Sequence, residues 1–193
     1  MDITEKEMQF MLLLFKNPEK EYNAHTIAKE IHMSAMGALK IAKRLEKEHI
    51  LTAKQLGKAI FYKLTLNNEY TKQYLTFLLK REAEIAHPYI KRWVTEIRKI
   101  KSADAALLFG SILTKQKEAN DIDVLLITDN KKFPLLKKEI EAINLLTDKK
   151  IHPIYQTEND FISNIKKEDK IVLNALKGII VFGEEIIIDV MKQ

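Results

Sequence analysis

Cysteine is absent from the 193 residues. That one gap removes disulfides, thiol nucleophiles and cysteine-based zinc sites together, and it fits a reducing compartment. No apolar run approaches the roughly 18 residues that a membrane-spanning helix needs, and the opening MDITEKE is too acidic and polar for a signal peptide. The expected location is therefore cytoplasmic, with no membrane partner. There is no GxGxxG, no P-loop, no HExxH and no internal repeat, and the five histidines are scattered without metal-ligand spacing. Any nucleotide or metal chemistry has to come from another pattern.

What is present reads as a globular chain, 46% apolar and 31% charged, of a length suited to one large or two small domains. The net charge of +5 is unevenly placed. Residues 1–66 carry 11 Lys/Arg against 8 Asp/Glu, residues 67–101 carry 8 against 4, and residues 102–193 carry 13 against 15. The excess positive charge lies wholly in the N-terminal half. It either invites a polyanion there or is the solvated surface of a lysine-rich protein.

The stretch with most chemistry is Leu107 to Thr128, LLFGSILTKQKEANDIDVLLIT. An apolar run ends in Gly110-Ser111, a polar loop follows, and Asp121-Ile122-Asp123 opens a second apolar run. Alternation along a strand sends Asp121 and Asp123 to one face while Ile122 and Val124 turn inward. Two converging carboxylates beside a Gly-Ser turn suit a divalent metal carrying phosphates, because hard oxygens hold Mg²⁺ and a turn without side chains admits phosphate close to the backbone. The plainer alternative is an ordinary loop between strands, though paired negative charge at the mouth of VLLIT is costly without a partner.

This pattern resembles the signature of the polymerase-β-like nucleotidyltransferases, a Gly-Ser pair followed by nine or more residues and Asp-x-Asp; here nine residues separate Ser111 from Asp121. The resemblance covers about 90 residues and implies a mixed-sheet α/β domain. It also implies that Gly110 and Ser111 hold the triphosphate of an NTP, with ATP the expected nucleotide, while Asp121 and Asp123 bind Mg²⁺ and are catalytic. The acceptor is left unnamed. Two departures stand out. Lys115 follows where Arg-Gly is common, giving positive charge without a bidentate grip. The later strand, KKIHPIYQT, has His152 where the family's third carboxylate would stand, with Asp148 before it and Glu158 after it. His152 reads as a substitute base, as a surface residue before Pro153, or as a mark of lost activity; the surface reading is preferred.

In the N-terminal segment, Thr4 and Glu7 form a capping-box signature, and Met8, Met11, Leu12 and Phe15 predict a helix over about 4–16. A second helix from Asn23 or Ala24 to Ile31, a turn at His32-Met33 and a third helix from Ser34 to about Glu48 follow. ILTAKQ and AIFYKLTL then read as a hairpin turning at Leu56-Gly57-Lys58. This order is similar to the winged helix-turn-helix family, down to the Ile27-Ala28 pair, the capping Ser34 and the inner face Ala38, Ala42 and Leu45. His49 stands where that family usually has glycine. The resemblance implies a recognition helix and a wing at Gln55–Lys58, with Lys40, Lys43, Arg44, Lys54 and Lys58 contacting DNA phosphates. Ala35, Met36, Gly37 and Leu39 offer base edges no bidentate hydrogen bonding, so the helix either binds DNA with little sequence discrimination or docks on protein.

Between the two lies a connector. Tyr70, Tyr74, Phe77, Leu78 and Leu79 predict an amphipathic helix to about Ile85, whose stripe could pair with a second copy in a homodimer. His87-Pro88 breaks it. A helix over 88–100 then turns Ile90, Trp93, Val94 and Ile97 inward and shows Lys91, Arg92, Arg98 and Lys99 outward, read as a solvated basic face rather than a nucleic-acid platform. Strands at about 105–109, 122–127 and 150–156 alternate with helices through 133–146 and 157–176, and a short apolar segment, IIVFG, precedes a last helix. The expected division is 1–66 winged helix-turn-helix, 67–87 helical connector and 88–193 α/β nucleotidyltransferase domain. Two functions fit: a nucleotidyltransferase recruited by its N-terminal module, or a transcriptional regulator whose second domain senses a nucleotide or mediates assembly.

Overall fold

The computed structural model of the chain describes residues 3–192 and divides between Leu78 and Leu79 into two units. In the first, the Thr4 hydroxyl accepts a hydrogen bond from the Glu7 amide at 3.2 Å, satisfying one donor that a helix start leaves free. Helix α1 (Glu5–Lys16) follows, burying Phe10, Met11 and Phe15. Only half of the expected capping box forms, because the Glu7 carboxylate points elsewhere. It is 2% exposed, accepts a hydrogen bond from the Tyr74 hydroxyl at 2.5 Å and pairs with Arg44. Burial, reinforced by the Glu7 carboxylate, holds the Tyr74 hydroxyl well above the usual tyrosine pKa.

Helix α2 (Ala24–Glu30) starts on a reciprocal cap in which the Asn23 side chain accepts from the Thr26 amide and the Thr26 hydroxyl accepts from the Asn23 amide, both at 2.9 Å. Ser34 caps α3 (Ala35–Lys47) through the Gly37 amide at 3.1 Å, and Ala38, Ala42 and Leu45 are fully buried along one face. His49 adopts φ +58°, the left-handed conformation a glycine would supply more cheaply. The chain then enters the hairpin of β2 (Leu51–Leu56) and β3 (Ala59–Leu64), with Gly57 at φ +61° in its tip. A two-residue strand, β1 (Tyr22–Asn23), adds itself to β3 with Tyr22 opposite Tyr62, giving the sheet order β1-β3-β2. Two residues are too few to show alternation, so β1 has no sequence signature. With that addition the unit is the winged helix-turn-helix anticipated from the order of its elements.

Helix α4 (Glu69–Ile85) begins in this unit, burying Leu75 and Leu78 while leaving Tyr70 and Phe77 about half exposed. Its last turns belong to the second unit, where Glu84 meets Lys91 of α5 (Pro88–Ile97) at 3.0 Å and Arg98, the residue that caps the end of α5, at 2.7 Å. Arg92 pairs with Asp148 at 3.1 Å and Lys99 with Glu96 at 2.7 Å. The basic face of α5 is thus engaged by acidic neighbours, while Ile90, Trp93, Val94 and Ile97 are buried on the opposite side.

These residues pack on a mixed four-stranded sheet of β4 (Ala105–Phe109), β5 (Ile122–Ile127), β6 (Ile151–Gln156) and β7 (Ile179–Phe182), ordered β6-β5-β4-β7. β5 and β6 run parallel; the other pairs are antiparallel. The short α6 (Ile112–Lys115) and a 3-10 turn (Gln116–Glu118) fill the β4–β5 connection. α7 (Phe133–Leu146) makes the crossover that a parallel pair requires. α8 (Glu158–Lys166), capped by Thr157, α9 (Lys170–Leu176) and α10 (Glu184–Val190) complete the unit. The apolar IIVFG segment becomes the edge strand β7.

Candidate metal and nucleotide site

The site grows out of the register between β4, β5 and β6. Phe109, the last residue of β4, lies opposite Asp123, so Gly110 follows directly beside that carboxylate. Gly110 sits at φ +80°, and a Cβ there would strike the Asp123 side chain. Glycine is required twice over, by the dihedral and by the space. The chain then turns into α6 with Ser111 half-buried at its start, where its side chain makes no capping hydrogen bond. Its carbonyl accepts from the Lys115 amide at 2.7 Å and the Thr114 amide at 3.2 Å, which fixes the turn and leaves the hydroxyl outside the helix's own bonding.

On β5, Ile122 and Val124 are fully buried, so the alternation turns Asp121 and Asp123 to the other face. The parallel register sets Ile122 beside Ile151 and therefore Asp123 beside His152. The His152 Nδ1 lies 3.1 Å from Asp123 Oδ1, with the two side chains 66% and 25% exposed. Asp121, Asp123 and His152 each offer a ligand atom, and all three atoms lie within 4.8 Å of one another. A divalent cation fits this donor set. The carboxylates supply hard oxygens, and the Asp123 carboxylate lies directly against the Gly110 backbone.

The structure brings Gly110, Ser111, Asp121 and Asp123 together, while Lys115 is exposed at the last position of α6. The two carboxylates flanking the later strand do not join them. Asp148 is held by Arg92, and Glu158 lines a separate cavity of about 460 Å³ with Asp104, Thr128 and Asp129. His152, expected as a surface residue, is exposed but is also the partner of Asp123. Its signal in the sequence is the match between IleAsp at 122–123 and IleHis at 151–152. Once the two buried isoleucines pair, the residues after them share a face.

In the N-terminal unit, Lys40 and Lys43 are exposed on α3, and Lys54 and Lys58 on the β2–β3 wing. Arg44 differs from them because its guanidinium pairs with the buried Glu7. Ala35 and Met36 are exposed at the start of α3, Met36 at 62%, and neither presents a donor or an acceptor from its side chain. This surface suits phosphate contacts better than base readout.

Residues 93–178 match the family model described as polymerase beta, nucleotidyltransferase, a span that contains Gly110, Ser111, Asp121, Asp123 and His152. No curated protein matches the chain. Among solved structures, reduced HlyU from Vibrio cholerae shares 14% identity over 40% of this chain and 76% of its own, with a TM-score of 0.34. The adhesin competence repressor AdcR from Streptococcus pyogenes shares 16% over 52% and 69%, with a TM-score of 0.38. Lactococcus lactis ZitR in complex with DNA shares 11% over 51% and 72%, with a TM-score of 0.30.

Proposed function

We propose, from the match of residues 93–178 to the polymerase beta nucleotidyltransferase model, that this protein transfers a nucleotide from an NTP, ATP in the first instance, to a hydroxyl of an acceptor. The observation that supports it best is the Gly110-Ser111 turn packed against Asp123 on the adjacent strand, with Asp121 on the same face. Asp121 and Asp123 would hold a divalent metal, Mg²⁺ in the simplest reading, which when bound neutralises charge on the triphosphate and the attacking oxygen. The turn of Gly110 and Ser111 would seat the phosphates, Ser111 through its free hydroxyl, with Lys115 adding positive charge from the end of α6. In the reaction the acceptor oxygen bonds to the α-phosphorus, the bond from that phosphorus to the bridging oxygen breaks, pyrophosphate leaves, and the hydroxyl proton passes to solvent.

The proposed division keeps 1–66 as the winged helix-turn-helix, 67–87 as the connector and 88–193 as the transferase domain. Lys40, Lys43, Lys54 and Lys58 would bind DNA through its phosphates, with Arg44 contributing only what its pairing with Glu7 leaves free. The half-exposed Tyr70 and Phe77 on α4 offer a contact to a second copy. No described helix is long and apolar enough to cross a membrane, and the cytoplasm remains the proposed location.

A second reading is favoured by one observation: β6 presents His152, not a carboxylate, beside Asp123. In it the domain binds a nucleotide without transferring it, and the protein is a DNA-binding regulator that senses the nucleotide. Incubation with divalent metal and α-labelled ATP, CTP, GTP or UTP, adding tRNA, proteins and small acceptors in turn, separates the two. Label transfer lost in Asp121→Asn/Asp123→Asn supports the enzyme, binding without transfer supports the sensor, and absence of nucleotide binding refutes both.

A further inference from the structure

Resting on the metal site just proposed, we infer that His152 is itself a ligand of the divalent ion, through Nδ1, and that the resulting set of two carboxylates and one imidazole favours Mn²⁺ over Mg²⁺. An octahedral ion with bonds of about 2.1 Å holds neighbouring ligand atoms about 3.0 Å apart, the bond length multiplied by the square root of two. The His152 Nδ1 and Asp123 Oδ1 stand 3.1 Å apart, a hydrogen-bond contact in the structure whose length also matches one edge of such an octahedron. The Asp121 carboxylate lies within 4.8 Å of both partners, so small side-chain rotations bring all three onto one ion.

The backbone holds the ring ready. β6 is an edge strand, where Pro153 is tolerated because the hydrogen bond it cannot donate is not demanded on the open side. Proline confines the residue before it to extended conformations, and register then sets His152 beside Asp123. Among the described residues these three form the one group of Asp, Glu and His with metal-ligand spacing; Asp148 is paired with Arg92, and Glu158 lines a separate cavity.

The choice of metal follows from the donors. Mg²⁺ takes oxygen ligands and dehydrates reluctantly. Imidazole suits first-row transition metals, and Mn²⁺ accepts nitrogen and carboxylate alike. Replacing one oxygen of the site by nitrogen therefore weakens Mg²⁺ more than Mn²⁺.

Metal titration of the full chain with Mn²⁺ or Mg²⁺ alone, together with pulsed EPR of bound Mn²⁺, tests this without reference to turnover. At 66% exposure His152 can be replaced without disturbing the core. The wild type should show nitrogen coupling to Mn²⁺, and His152→Ala should lose that coupling and on the order of tenfold or more in Mn²⁺ affinity, with Mg²⁺ changing far less. His152→Asp should reverse the preference toward Mg²⁺. Mn²⁺ bound at Asp121 and Asp123 without nitrogen coupling, and unaltered in His152→Ala, overturns the ligand role of His152 while leaving the transferase reading intact. Binding of neither metal overturns both. Nitrogen-coupled Mn²⁺ without label transfer upholds this inference and removes the transferase reading.

Discussion

Replacing Gly110 by alanine perturbs the point where backbone geometry and proposed chemistry meet. An L-residue held in the left-handed region costs about 1–2 kcal/mol, and Gly110 is at φ +80°. The added Cβ also collides with the Asp123 carboxylate, and forcing that side chain off its rotamer costs about 0.5–1.5 kcal/mol more. The sum, about 1.5–3.5 kcal/mol, lowers the melting temperature of the second unit by roughly 6–14 °C at about 4 °C per kcal/mol. Trp93 is the protein's single tryptophan and is fully buried in that unit, so its fluorescence reports the transition. Gly57→Ala supplies the comparison. Gly57 is at φ +61° with nothing within 4 Å of an added Cβ, so it bears only the dihedral cost of about 1–2 kcal/mol, read by circular dichroism. Displacing Asp123 by about 1 Å should also lower label transfer on the order of a hundredfold, with metal affinity falling in parallel. If Gly110→Ala loses no more stability than Gly57→Ala and binds metal as the wild type does, the turn does not cradle Asp123 and the reasoning is refuted.

Three further outcomes follow from other parts of the chain. Glu7→Ala removes the acceptor of the Tyr74 hydroxyl and the partner of Arg44, and should destabilise the first unit by about 2–4 kcal/mol in urea titrations, less than a fully buried pair because Arg44 still reaches water. Burial raises Tyr22 from 10.0 to about 12 and, with Glu7, raises Tyr74 further. Both pKa values are raised on folding, so the stability of the first unit should be intact below pH 10.0 and fall as pH climbs toward about 12, seen as tyrosinate absorbance rising together with loss of helix. If the winged helix binds DNA, each alanine at Lys40, Lys43, Lys54 or Lys58 should reduce the salt slope of binding by about 0.9, whereas Arg44→Ala should act chiefly on stability.

Much of this was legible from local pattern. Thr4, Asn23 and Ser34 announce the helix starts, Gly57 the hairpin and His87-Pro88 the break before α5, because caps and breakers act within a few residues of themselves. The apolar runs of β4 and β5 likewise reveal their burial. What escaped depends on neighbours distant in sequence. Glu7 reads as the capping-box partner of Thr4, and its burial instead goes with the hydrogen bond from Tyr74, 67 residues later, and the charge of Arg44. Arg44 reads as one more phosphate contact until that pairing is seen. His152 looks like a surface histidine until the β5–β6 register sets it beside Asp123, and that register shows only when Ile122-Asp123 is matched to the distant Ile151-His152.

The parallel pairing of β5 and β6 would also make the proposed metal site a reporter of folding. Asp123 and His152 are 29 residues apart along the chain, and they meet only after α7 has returned the chain to the sheet. A slip of one residue would put Ile151 or Pro153 beside Asp123 and bury or remove the ring. An ion that binds only the correctly threaded sheet stabilises it by mass action, by about 2.7 kcal/mol at a hundred times the dissociation constant. The ion would thereby select one strand alignment over its neighbours, so that the protein able to bind metal and the protein correctly folded are the same population.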